Sequence, residues 1–168
     1  GQVKQRPKQW LKPPCNMSKI NVDAAVAERR GMKTIAAIAR DEFGAFLGAS
    51  TLGFASITSP TTLEALAVRE ALALSEDLQL LSIHVASDCK EVIDSIKEKN
   101  RAEYGAIVHE IIAYSSSFIS YNFVHEFRSS NVEAHNLAKH ALKLGMGRRV
   151  WLGHPGNLSF VPVQLVTT

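Results

Sequence analysis

Three carboxylates stand where their chemistry is conspicuous. Asp23 lies inside the apolar alternation of "SKINVDAAV", residues 18–26. A carboxylate in a sheet interior costs free energy unless it is paired, hydrogen-bonded or bound to a cation. Asp88 directly follows the apolar run "LLSIHVAS" and opens "DCKEVIDSIKEK". The Ala/Leu-rich "TTLEALAVREALALSEDL" offers two further acids, Glu64 and Glu70. On a helix with about 100° per residue, Glu64 falls about 40° and Glu70 about 80° from the centre of the side bearing Leu63, Ala67, Ala71 and Leu74. Periodicity therefore leans to Glu64 without deciding between them. A buried Glu beside a buried Asp repels it unless a cation intervenes. Hard divalent ions such as Mg²⁺ take oxygen ligands and retain waters for a substrate phosphate. Two of them, on the order of 4 Å apart, stabilise both the attacking and the leaving oxygen of a phosphodiester. The local alternative for Asp88 is a helix N-cap, a common use of Asp.

The surrounding elements must bring these acids together. "KINVDAA", "KTIAAIARD" and "GAFLGASTLGFA" are short apolar or alternating runs, separated by the turn-like "ERRG" and "DEFG". They predict three successive antiparallel strands. After Pro60 the period lengthens, and residues 61–78 predict a helix whose threonines cap its start. A strand over 80–87, helices over 88–99 and 103–118, a strand over 119–127 and a last helix over 129–145 complete the order βββαβααβα. Ser130 with Glu133 makes a capping-box pattern, and Gly145 ends the helix. An antiparallel meander followed by βα units implies an α/β fold, a mixed sheet with helices on both faces.

Residues 1–17 read as a basic, proline-containing linker, with Lys4, Arg6, Lys8 and Lys12 among Pro7, Pro13 and Pro14, and Trp10 able to pack back on the domain. Residues 18–146 form the domain, and 147–168 an irregular tail. At 168 residues and 46% hydrophobic, the chain is the size of one ordinary domain with flanking segments. Its net charge of +3 permits an anionic partner without demonstrating one. Two cysteines, Cys15 and Cys89, exclude a disulfide-rich scaffold and point to a reducing intracellular compartment, nucleus or cytoplasm. No apolar run reaches membrane-spanning length, and no strand enters a Gly-rich turn of the dinucleotide-binding type. A chain beginning with Gly reads as a monomeric domain cut from a longer protein.

Taken together, "KINVDAA", "AIARDEFGAFLGAS", "LEALAVREALAL", "HVASDCKEVID" and "FRSSNVEAHNLAKHAL" resemble the ribonuclease H-like family, in particular the reverse-transcriptase-like ribonuclease H domains of plant retroelements and plant proteins. The resemblance runs from about Lys19 to Gly145. It implies a five-stranded mixed sheet of order 3-2-1-4-5 and hydrolysis of the RNA strand of RNA–DNA hybrids by two Mg²⁺ ions, with Mn²⁺ a possible substitute and no small-molecule cofactor. It implies Asp23, Glu64 and Asp88 as metal ligands, choosing Glu64 over Glu70. It places His135 of "NVEAHNLA" where family members commonly carry the fourth acid. An imidazole there can ligate an ion, suiting Mn²⁺ better than Mg²⁺, or carry a proton near the leaving group. The same resemblance implies nucleic-acid contacts at Thr61, Lys90, Arg128 and Asn131, and a basic protrusion reduced to "KEKNR". Ala24 replaces a common Gly, and the loop before the last helix is short. His135 and Ala24 favour a rival expectation, a domesticated module of weak or no activity that binds nucleic acid or a protein partner.

Overall fold

The computed structural model describes residues 9–56, 58–99 and 104–165. Lys4, Arg6 and Lys8 of the basic arm, and Asn100 and Arg101 of "KEKNR", lie outside them. The sheet begins with β1 (Ser18–Ala27), β2 (Met32–Arg40) and β3 (Phe46–Phe54), an antiparallel meander. Helix α1 (Pro60–Asp77) leads to β4 (Ser82–Ser87), which lies parallel to β1. Helices α2 (Lys90–Glu98) and α3 (Gly105–Ser115) precede β5 (Ser120–His125), parallel to β4. Helix α4 (Val132–Ala141) and a last strand β6 (Gly147–Leu152) follow, giving the order β5-β4-β1-β2-β3-β6.

Both faces of the sheet are covered, which is why β2 reads as a nearly continuous apolar run and the polar face of β1 is buried as well. Alternate residues of β2 sort to opposite sides. Ile35, Ala37 and Ala39 join Leu63, Ala67, Ala71 and Leu74 of α1 in one core. Ala36 and Ile38 join Leu137 and Ala138 of α4 in the other, closed by Leu158 and Val161. Burial of so many alanines brings α1 close to the sheet, so a side chain one turn into that helix can reach the strand ends.

Two expectations fail at the carboxyl end. The sheet has six strands rather than five, and residues 147–152 of the expected irregular tail pair with β3 as β6. The approach is close: a Cβ on Gly53 of β3 would stand 2.2 Å from the Gly145 carbonyl oxygen, so only glycine fits there. The chain then runs back under the second core, where the Phe46 amide donates to the Val163 carbonyl at 2.8 Å. At the other end, Trp10 and Leu11 lie against the domain. The Lys19 ammonium donates to the Leu11 carbonyl at 2.5 Å and sits 5.6 Å from the centre of the Trp10 indole.

Helix ends also differ from expectation. Ser59, not a threonine, caps α1 by accepting from the Thr62 amide at 3.2 Å, with Pro60 at the first helical position. The Ser130–Glu133 capping box does not form; Asn131 precedes α4, and Glu133 instead grips the buried Arg40 through two bonds of 2.9 and 2.6 Å. Helix α4 ends at Ala141, before Gly145.

Candidate active site

Strand pairing assembles the acids. Val22 of β1 stands opposite Ser87 of β4, so the next residues along these parallel strands, Asp23 and Asp88, leave the pair side by side. Asp88 is not the cap of α2; that position belongs to Cys89, so its carboxylate is free for other work. Glu64 descends from the first turns of α1. One carboxylate oxygen from each of Asp23, Glu64 and Asp88 lies within 4.8 Å of the others.

Burial and like charge act together here. Desolvation, then the neighbouring Asp88, pushes the Asp23 carboxyl above its usual range, against bonds from the Ala24 amide and His135. Glu64 goes further, raised to about 9 by burial first and then by Asp23 and Asp88. Its Oε2 is buried with no hydrogen-bond partner. A proton, or a cation in its place, is what allows three such groups to coexist. The donor set is all oxygen, it is partly desolvated, and it holds an orphaned carboxyl oxygen. Those features fit a hard divalent ion such as Mg²⁺.

The fourth residue behaves differently. His135, in the first turn of α4, places Nδ1 2.9 Å from Asp23 Oδ2 and lies outside the three-acid group. Its Nε2 is the ring nitrogen left for an ion or a proton. Arg128 sets Nε 3.7 Å from Asp88 Oδ2 with most of its side chain exposed, and its charge opposes the rise at Glu64. Thr61 is half-buried in the first turn of α1, 3.4 Å from the Ser59 hydroxyl. Lys90 is exposed and pairs with Asp94 one turn along α2. Asn131 is buried: its amide donates to the Val22 carbonyl at 2.9 Å and its oxygen accepts from Asn21 at 3.0 Å. Glu70 points elsewhere, into a 2.7 Å bond from Arg148.

Asn21 was not among the expected site residues, yet it fastens the site. Through Asn131 it ties the start of α4 to β1, two residues from Asp23, and so fixes where His135 meets that carboxylate. The signal was present as the polar alternation Lys19, Asn21, Asp23 on one face of β1.

The strand order, the covered sheet and the acids at the junction of β1, α1 and β4 define an α/β fold of the ribonuclease H-like class. The chain belongs to the reverse transcriptase-like family, which it matches over residues 21–141. Ribonuclease H1 from the halophilic archaeon Halobacterium salinarum is 17% identical, with a TM-score of 0.66 over 77% of this chain and 99% of that one. The N-terminal RNase H domain of a Mycobacterium tuberculosis protein, solved as a fusion with maltose-binding protein, is 18% identical, with a TM-score of 0.67 over 76% of this chain and 94% of that one. A ribonuclease H1 named LC11, solved in complex with RNA/DNA hybrid, is 21% identical, with a TM-score of 0.65 over 76% of this chain and 97% of that one. Among curated proteins, none matches the chain.

Proposed function

We propose that this chain is a divalent-metal-dependent endonuclease that hydrolyses the RNA strand of RNA–DNA hybrids. The observation that carries the reading is the meeting of Asp23, Glu64 and Asp88 oxygens, from three elements of a ribonuclease H-like fold, within 4.8 Å. Asp23, Glu64 and Asp88 would hold the two Mg²⁺, or Mn²⁺, with His135 as the fourth group. Bound there, such ions supply an activated water and charge stabilisation at the phosphodiester. The chain's own side chains do the rest. Asp23 is oriented by the Ala24 amide and by His135. Glu64 would ligate an ion through the buried oxygen that has no hydrogen-bond partner. Arg128, exposed beside Asp88, meets a backbone phosphate. Thr61 and Lys90 face the strand from the starts of α1 and α2, while Asn131 acts indirectly by anchoring α4. The hybrid bound in the LC11 ribonuclease structure supports the substrate class. The free thiols Cys15 and Cys89 suit a reducing compartment, nucleus or cytoplasm.

A second reading has an observation of its own. The 2.9 Å bond from His135 occupies an Asp23 oxygen that a second ion would otherwise use, which favours a weakly active or inactive nucleic-acid-binding module. One assay separates the two. With Mg²⁺ or Mn²⁺ the protein cleaves the RNA strand of a hybrid, and Asp23→Asn reduces the rate at least a hundredfold, the scale of removing one key electrostatic group. Equal rates in the two proteins sink the enzymatic reading.

A further inference from the structure

Beyond β5 the chain passes beside the end of β4, next to Asp88. The Glu126 amide donates to the Ser87 carbonyl at 2.9 Å, which fixes it beside the residue preceding Asp88. The next residue, Phe127, is 72% exposed. Its ring meets the edge of His125 at 5.1 Å between centroids, with the planes 80° apart. Its carbonyl accepts from the Ser130 amide at 2.9 Å, so a tight turn holds the ring outward. Arg128 follows, reaching Asp88 and otherwise exposed. An exposed aromatic residue therefore sits in the chain between Glu126, fixed beside Ser87, and Arg128, which reaches Asp88, and its ring buries little for the fold.

Cations bound by the cluster would engage the scissile phosphate only, so added affinity at its rim comes from a further cation and from an uncharged surface. An aromatic ring and an Arg plane are both surfaces on which nucleobases stack. Inside a duplex each base face is already covered by its neighbours. A protruding ring at the edge of a duplex site is thus matched by a base that has no such cover. We propose that Phe127, next to the phosphate-binding Arg128, stacks on an unpaired nucleobase adjoining the hybrid duplex, so that this chain favours hybrids carrying a single-stranded extension over blunt ones. The assignment rests on the hybrid reading above and adds to it a preference in substrate structure.

The test uses the full chain carrying Asp23→Asn, to prevent turnover, and a short fluorescent RNA–DNA hybrid made either blunt or with a single-stranded RNA extension. Binding is followed by anisotropy in Mg²⁺ at several salt concentrations. The extended hybrid binds roughly five- to a hundredfold more tightly, the range of one stacked base. Adding Phe127→Ala abolishes that ratio without moving Tm, whereas Phe127→Trp retains it. The ratio is insensitive to salt because stacking releases no counterions. Arg128→Gln instead lowers the salt slope by about one for both hybrids. Equal affinity for the two hybrids, or a preference that survives Phe127→Ala, overturns the proposal. The two readings fail separately. An Asp23-containing protein that cleaves hybrids while showing no Phe127-dependent preference overturns the stacking site alone. A Phe127-dependent preference without cleavage upholds it and overturns the nuclease. No binding to either hybrid overturns both.

Discussion

Strand β1 buries charge twice on one face, and the two regions solve the problem in opposite ways. At its start, Lys19 is fully buried against Glu126, with the charges 2.5 Å apart. Asn21 lies beside them, its amide 3.5 Å from Glu126. Burial lowers the Lys19 pKa while Glu126 pulls it back up. Four residues on, Asp23 faces Glu64 and Asp88, three groups of the same sign. The first region balances its charges internally and serves to hold β1, β5 and the Leu11 segment together. The second, when ionised, carries an excess that no buried Lys or Arg among the described residues offsets, with only the exposed Arg128 near Asp88. Internal balance marks structure, and the excess marks a place prepared for something brought from outside.

The sharpest way to break this contrast is to unbalance the first region. Glu126→Gln leaves Lys19 buried without its counter-ion, and removing one partner of a buried pair costs about 3–5 kcal/mol. Urea denaturation should show that loss as a lower midpoint, with the acid cluster's ion affinity intact in whatever protein remains folded. A midpoint unchanged from wild type would show that Lys19 is balanced by something other than Glu126.

The same operation at the second region has the opposite sign. Burial and the neighbouring acids raise Glu64 to about 9 in the folded state, from an ordinary carboxyl value of 4.5. The stability this group contributes is fully present below its unfolded value and is lost as pH rises through about 9. Glu64→Gln keeps the neutral form at every pH. Without divalent ions the variant should therefore melt higher than wild type at pH 8.5, with the gap closing towards pH 5. In a domain of this size roughly 1 kcal/mol corresponds to about 2–4 °C. Added Mg²⁺ should raise the wild-type Tm at pH 8.5 and act much less on the variant. A gap that does not vary with pH would remove Glu64 from the like-charged group.

The smallest and most informative change is His135→Asp, which adds a fourth acid to the excess. Cleavage in Mg²⁺ should rise several-fold, on the order of 1 kcal/mol in the barrier. Tm without ions should fall slightly, because Asp23 trades a hydrogen-bond donor for a like charge. An unchanged or reduced rate would show that His135 is no substitute for a ligand.

Much of this arrangement was legible because it is written in local patterns. The period of two in β1 and β2 and the Ala/Leu face of α1 place Asp23 and Glu64 correctly with respect to the sheet. What escaped depends on partners far along the chain. Strand β6, beginning Gly-Arg-Arg, has no apolar alternation of its own; β3 supplies its pairing, and Arg148 is held by Glu70 and Asp77 across more than seventy residues. That same bond explains why periodicity could not separate Glu64 from Glu70, since both are drawn inward, one to the acids and one to an arginine. The capping box failed for a like reason, because Arg40 claims Glu133 from 93 positions away. Asp88 was ambiguous until the register of β4 on β1 set it beside Asp23.

The buried amide contacts of Asn21 and Asn131 carry a last consequence. They lock the start of α4 onto β1 through the Val22 carbonyl, without using the side chain at position 135. Whatever residue stands there is delivered to the same spot beside Asp23. The position works as a socket: its occupant can be exchanged for an acid, an imidazole or an inert group while the scaffold that presents it stays the same. On the proposed nuclease reading, metal affinity would be set through that one side chain, on an unchanged Asn21–Asn131 scaffold.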